Sequence, residues 1–307
     1  MRSYPFMQVD AFTDRPLSGN PCAILFESDD LDATAMQAIA REMNLSETAF
    51  VRQSEKADFQ ARYFTPAAEI PLAGHPTIAT VFALIDSGRL KLIGDYTRIT
   101  LELKSGVIPI EIVKQAGRIQ RITMTQLKPA FLRTYAPADV LPVFGLKTED
   151  LLPDGMIQTV STGTPQLMLP LRDLEELRRA QMDIPAYRAL YTHADFFSPH
   201  LFCLQGVTAA GRTFARHLGA PPDVPEDPFT GSATGGMAAY LWHYGWIDKP
   251  TFIAEQGHWL GRPGQASVEV LGPPDDIMAV KVGGQAVTVL RGELLIPDKL
   301  TSTDQPD

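Results

Sequence analysis

The sequence predicts an α/β (α+β) protein of two pseudo-repeated domains, each a barrel of strands around one buried central helix. Three observations carry this expectation. The chain has 307 residues, more than one hydrophobic core usually supports, so two domains are expected. The stretch "IATVFALIDSGRL", residues 78 to 90, is apolar on nearly every face until Asp86. Such a helix belongs inside a domain. Finally, "AGHPTIATVFALIDSGRL" lies without a gap on "TGSATGGMAAYLWHYGWI", Gly74 upon Gly231, and "SGNPCAIL" matches "TGTPQLML", Gly19 upon Gly163. The two offsets, 157 and 144, differ by 13 residues, which loop insertions can absorb. Two halves of one design account for both matches.

The elements follow in order. "SYPFMQVDAF" reads as a strand, "TDRPLSGNP" as a loop and "CAILFE" as a second strand. Asp32 can cap a helix running to about Asn44, with Met36, Ile39, Ala40 and Met43 on one stripe. That helix hands the chain to Leu45–Val51, and "ADFQARYFTP" reads as another strand. The first buried helix is expected to start with Pro76 at its first position, where a missing N–H is harmless. The second is expected to be capped by Ser232 and to end near Gly245. The expected domains are residues 1–127, completed by a C-terminal strand at about 287–307, and residues 128–286, with "TEDLLPD" near the boundary.

Composition narrows the function. The formal charge is −9 and no Lys/Arg block occurs, which argues against a nucleic-acid partner. No apolar run is long enough to span a bilayer, and "MRSYPFMQVD" has no signal-peptide h-region. Two cysteines, Cys22 and Cys203, make no disulfide framework. A cytoplasmic protein with no membrane partner is expected.

Within "NLSETAFV", Glu47 stands where an amphipathic helix gives way to an apolar strand. Most such glutamates are solvated turn residues. A desolvated one would have its pKa raised towards that of a useful general acid or base. The two buried helices begin with Gly-His-Pro-Thr and Gly-Ser-Ala-Thr. Their unpaired N–H groups could hold a carboxylate or a developing enolate-like charge, and Gly74, Gly231 and Ser232 are small enough to admit a ligand. His75 is a helix cap or a proton-transfer partner. Asp227, before Pro228 and Thr230, is a loop corner or a functional carboxylate. No phosphate loop, dinucleotide fingerprint or Gly-x-Ser-x-Gly elbow occurs, and the six histidines show no metal-ligand spacing.

Five ordered motifs, "DAFTDRPLSGNPCAIL", "NLSETAFV", "YFTPAAEIPLAGHPTIAT", "EDPFTGSATG" and "EQGHWLGRPG", together resemble the PhzF-like family, named for a phenazine-biosynthesis isomerase. The resemblance implies a diaminopimelate epimerase-like fold with the site between two domains, a homodimer and no cofactor. It implies that Glu47 is the catalytic acid/base. It also implies that His75, Asp227 and Ser232 surround a small carboxylate substrate, with Gly74, Thr230 and Gly231 at the helix starts. Diaminopimelate epimerase uses a cysteine at each helix start, and "LAGHP" and "FTGSA" have none. Isomerisation by one carboxylate therefore suits these residues better than a two-thiol racemisation. The alternatives are epimerisation of an amino-acid-like substrate, if His75 supplies a second proton, and a non-enzymatic ligand-binding module on the same fold.

Overall fold

The computed structural model describes residues 1–297. The expected strand at 287–307 is thus described only to 297. It is part of β18 (Ala286–Ile296), which pairs antiparallel with β1 (Arg2–Ala11). The remainder, 298–307, lies outside the described residues.

The first half continues with β2 (Asn20–Leu25), α1 (Ala33–Met43), β3 (Glu47–Arg52), β4 (Phe59–Phe64) and β5 (Glu69–Ile70). Then come α2 (Gly74–Asp86), β6 (Tyr96–Leu103), β7 (Gly106–Gln115) and β8 (Arg118–Gln126). After β9 (Ala130–Tyr135) and the short α3 (Pro137–Val140), the second half opens with β10 (Ile157–Ser161) and β11 (Pro165–Pro170). It continues through α4 (Leu174–Arg179), α5 (Ile184–Tyr191), β12 (Ser198–Cys203), β13 (Thr213–Leu218) and β14 (Glu226–Asp227). It closes with α6 (Gly231–His243), β15 (Thr251–Gln256), β16 (Gly264–Leu271) and β17 (Ala279–Gly284).

Strand pairing repeats between the halves, sense for sense. β1–β2 is antiparallel, β2–β3 parallel, and β3–β4 and β4–β5 antiparallel. β4–β6 is parallel, and β6–β7 and β7–β8 are antiparallel. The series β10–β11, β11–β12, β12–β13, β13–β14, β13–β15, β15–β16 and β16–β17 runs through the same senses. β8 pairs with β17 and joins the two series.

Register turns this into a residue-for-residue map. Cys22 faces Glu47, and Gln166 faces Ser198. Two residues on, Ala49 faces Tyr63 as His200 faces His217. Tyr63 then faces Ile70 as His217 faces Asp227. In both halves the central helix starts four residues later, at Gly74 and at Gly231. The two sequence matches, with their different offsets, are thereby linked through the strands between them. The second half absorbs its extra residues in the α4–α5 crossover, where the first half has only α1, and in the β12–β14 connections.

α1 forms as its sequence predicts. Asp32 accepts a hydrogen bond from the Ala35 N–H at 2.8 Å, a cap worth about 1 kcal/mol. Met36, Ile39 and Ala40 are buried. Asn44 ends the helix in the left-handed region, φ 50°, with its N–H returned to the Ala40 carbonyl, and Glu47 opens β3 three residues later.

Both central helices are buried along most of their length. Their starts differ in detail from expectation. α2 begins at Gly74, so Pro76 is its third residue; its missing N–H still falls in the first turn, where no intrahelical partner exists. Thr230, not Ser232, is the last non-helical residue before α6, and Ser232 is the second helical one. Extended backbone at Ala73 and non-helical backbone at Thr230 set these limits.

The two starts touch. A Cβ on Gly74 would lie 2.5 Å from Gly231 Cα and 2.6 Å from Ser232 N. One on Gly231 would meet the Phe12 ring at 2.8 Å, and that ring stacks on Phe229 with centroids 4.3 Å apart. Backbone cannot retreat as a flexible side chain can. Gly74→Ala is therefore expected to destabilise the fold by about 1–3 kcal/mol, read as a lower urea midpoint at unchanged slope. An unchanged midpoint would mean that the helix starts do not pack this closely.

Candidate active site

Three side chains from distant parts of the chain converge at this contact. Glu47 opens β3, His75 is the second residue of α2, and Asp227 ends β14. Each offers one polar atom within 4.8 Å of the other two. Glu47 Oε2 lies 3.3 Å from His75 Nδ1, yet it has no hydrogen-bond partner.

Asn20 explains why. Its side-chain nitrogen donates to Asp227 Oδ1 at 2.7 Å and to the Phe229 carbonyl at 2.8 Å, and lies 2.9 Å from His75 Nδ1. The reverse amide orientation would set an oxygen against a carboxylate and a carbonyl, so the NH2 group belongs here. That group has two hydrogens for three neighbours, and His75 Nδ1 stands between it and Glu47 Oε2. Asp227 is held further by the Thr230 hydroxyl, which donates to Oδ2, and by Gln256, which donates to its backbone carbonyl at 2.7 Å. Gln126 donates to the Gly231 carbonyl at 2.8 Å.

These surroundings shift the protonation equilibria. Burial, reinforced by the charges of Asp227 and Asp223, raises the Glu47 pKa well above the ordinary carboxylate value. Burial lowers that of His75 to about 4, although Asp227 and the Pro21 carbonyl oppose the shift. At neutral pH the imidazole is uncharged. Burial first, and Glu47 second, hold the Cys22 thiol protonated, and burial pushes Cys203 up to about 11.

Glu47, 14 % exposed, opens onto a cavity of ≈ 390 Å³. Asp227, Thr230 and Ser232 line it with Glu47, and Leu72, Phe197, Tyr187 and Tyr191 give it apolar walls. Gly74, His75 and Gly231 lie behind that lining. The space their small size leaves is filled by each other's backbone and by Phe12, which corrects the expectation that the glycines make room for a ligand. Neither Ala73 nor Thr230 caps its helix with a side chain. Two uncapped, positively polarised helix ends thus stand side by side.

The site is asymmetric under the repeat. Ser198 takes the place of Glu47, Ser232 that of His75, and Ile70 that of Asp227. Glu47, His75 and Asp227 could also offer three ligand atoms to a metal ion. However, the Asn20 NH2 group donates to an Asp227 oxygen and lies 2.9 Å from the His75 nitrogen, where a cation would be repelled. Sequence reasoning singled out the three converging groups and missed Asn20, Gln126 and Gln256. Asn20 had a signal, since it lies in the matched "SGNPCAIL" segment.

The fold defines a class of proteins built from two similar halves, and comparison with known proteins narrows the class. Residues 9–292 match the family described as phenazine biosynthesis-like protein, PhzC-PhzF. A Bacillus subtilis protein described as an uncharacterized isomerase is 34% identical over 272 residues, 88% of this chain and 92% of its own. Trans-2,3-dihydro-3-hydroxyanthranilate isomerase of Pseudomonas chlororaphis is 34% identical over 297 residues, 95% of this chain and 99% of its own. A Bacillus anthracis PhzF-family crystal structure superposes with a TM-score of 0.84 at 32% identity, covering 96% of this chain and 100% of that one. A hydroxyproline epimerase from Agrobacterium vitis shares the fold alone, with a TM-score of 0.65 at 14% identity over 99% of this chain and 96% of that one. The chain belongs to the PhzC-PhzF phenazine biosynthesis-like family and is an isomerase of that family. Among the described residues, no helix is long and apolar enough to cross a membrane.

Opposite pH dependences of stability follow. Glu47, with its pKa raised on folding, contributes stability that is full below its ordinary 4.5 and lost as pH rises through the raised value. His75, depressed from 6.5 to about 4, contributes stability that is full above 6.5 and lost as pH falls through about 4. Glu47→Gln is therefore expected to gain on the wild type as pH rises above 4.5, and His75→Gln to gain as pH falls below 6.5. Urea unfolding across pH 4–8 measures both. A flat Glu47→Gln difference would contradict a buried, proton-retaining carboxylate.

Proposed function

We propose that the chain isomerises a small cyclic carboxylate by moving a proton between two carbons, with Glu47 as the single acid/base. The observation that carries this reading is the desolvated Glu47 at the cavity wall, whose counterpart in the other half is the uncharged Ser198. The two halves form the barrels whose cleft is the site.

The substrate carboxylate sits by the uncapped starts of α2 and α6. The Glu47 carboxylate takes a proton from carbon, and the electron pair moves into conjugation with the substrate carboxylate. The adjacent helix ends stabilise the developing charge; losing one such donor typically costs about 10²–10³ in rate. Glu47, now protonated, returns the proton at another carbon. Atoms and electrons balance without a metal or cofactor. His75 stays neutral, and Asp227 orients the site through Asn20. A racemase working through both faces would need a second acid, and Ser198 and Ser232 stand where it would be. The substrate named for the Pseudomonas chlororaphis relative is of the class proposed. Family resemblance supports a cytoplasmic homodimer, which light scattering would test.

Glu47→Gln keeps the shape but cannot cycle a proton, so turnover of trans-2,3-dihydro-3-hydroxyanthranilate or another cyclic carboxylate should fall by about 10²–10⁴-fold. In D2O the wild type should introduce deuterium on the face from which the proton left. Activity should also survive exhaustive chelation. Near-full activity in Glu47→Gln, deuterium on the opposite face, or metal lost together with activity would each overturn part of this mechanism.

A further inference from the structure

We propose that the Gln166 carboxamide is a specificity donor whose NH2 group faces the cavity and hydrogen-bonds a neutral oxygen, hydroxyl or carbonyl, of the bound molecule. The inference rests on the cavity being the substrate site. It comes from a buried polar chain that the proton-transfer machinery does not use.

Gln166, Ser198, His200 and His217 are 2%, 6%, 0% and 6% exposed. His200 Nδ1 lies 3.2 Å from His217 Nδ1, His217 Nε2 lies 2.8 Å from Ser198 Oγ, and Ser198 Oγ lies 2.8 Å from Gln166 Oε1. Burial keeps both rings neutral, lowering His200 well below its ordinary value and His217 to about 4. A neutral imidazole has one N–H, so the donors along this chain must all run one way.

The far end selects the direction. His200 Nε2 is buried and has no partner. If the chain ran towards His200, that nitrogen would be an orphaned N–H; if it runs away, the nitrogen is only a bare lone pair. Orphaned buried donors are the rarer and costlier case. Hence His200 donates to His217, His217 to Ser198, and Ser198 to the Gln166 oxygen. That leaves the Gln166 NH2 group with no internal acceptor among the described residues, on a side chain that lines the cavity.

The ligand chemistry follows from the neighbours. Glu47, Asp223 and Asp227 share the cavity with one arginine, Arg188, so a second anion is disfavoured there and a neutral acceptor fits. Under the repeat, Gln166 and Ser198 occupy the places of Cys22 and Glu47. One half moves the proton, and the same place in the other half reads the substrate.

The test uses two stable probes, 3-hydroxyanthranilate and anthranilate, which differ by one hydroxyl. Calorimetric titration of Gln166→Leu should show about tenfold weaker binding of the hydroxylated probe, the loss of one neutral hydrogen bond, with anthranilate unchanged. Equal losses for both, or none, would overturn the donor role. Independently, 15N spectra of the wild-type histidines should show the proton on Nδ1 of His200 and on Nε2 of His217. The opposite tautomers would turn the amide oxygen to the cavity and overturn the inference without any ligand. Failure of the wild type to bind either probe would sink the cyclic-carboxylate class, and the tautomers would still decide the donor.

Discussion

The contact of Gly74 with Gly231 is the constraint on which the site depends. It brings two helix starts from opposite halves to within backbone van der Waals distance. His75 and Ser232 are the next residues along those helices. Strand register fixes the rest: Glu47 stands on β3, which is linked through β4 to the strand leading into α2, and Asp227 stands on β14, which itself leads into α6. Any side chain at either glycine would push the helix ends apart, and the polar atoms of Glu47, His75 and Asp227 with them.

Helix packing alone would leave three ionisable groups in a poor solvent, and their mutual arrangement is set by Asn20. With its NH2 group set against a carboxylate, a carbonyl and an imidazole nitrogen, it compensates Asp227 for burial and holds the His75 ring beside it. Glu47 receives no such compensation. The difference between the two carboxylates is thus one of hydrogen bonding rather than of depth. Asp227 has its oxygens occupied by N–H and O–H donors, while Glu47 has an unpartnered oxygen at the cavity wall. That unpartnered oxygen is the basis of the acid/base role proposed for Glu47.

Much of this was legible in the sequence because it is local or repeated. The capped α1 helix, the strand that follows it and the two buried helices are written in caps, stripes and apolar faces over a few residues. The gapless match of the helix segments announced the repeat. Helix starts were each misplaced by two residues, since Pro76 and Ser232 are good residues throughout a first turn and do not mark one position. Asn20, Gln126, Gln256 and the chain from His200 to Gln166 escaped because their meaning is non-local. His200 and His217 are 17 residues apart and meet only through the β12–β13 register. No spacing rule finds such a pair.

The repeat also explains how one architecture can separate two tasks. Duplicated halves begin with matching positions, and a symmetric site would have an acid/base on each wall and favour exchange between mirror faces. Here the walls have diverged in polarity at matched places: Glu47 against Ser198, His75 against Ser232, Ile70 against Asp227. A carboxylate on the second wall would have faced Asp227 and Asp223 as well as Glu47, in a cavity with one arginine. Burial, with the charges of Asp227 and Asp223, already raises the Glu47 pKa; one more carboxylate would hold Glu47 protonated over a still wider range and blunt it as a base. A neutral second wall keeps that shift within bounds. It also leaves Gln166 and Ser198 for the recognition role proposed above, so on that reading the loss of symmetry serves the proposed proton carrier as much as the specificity of the cavity.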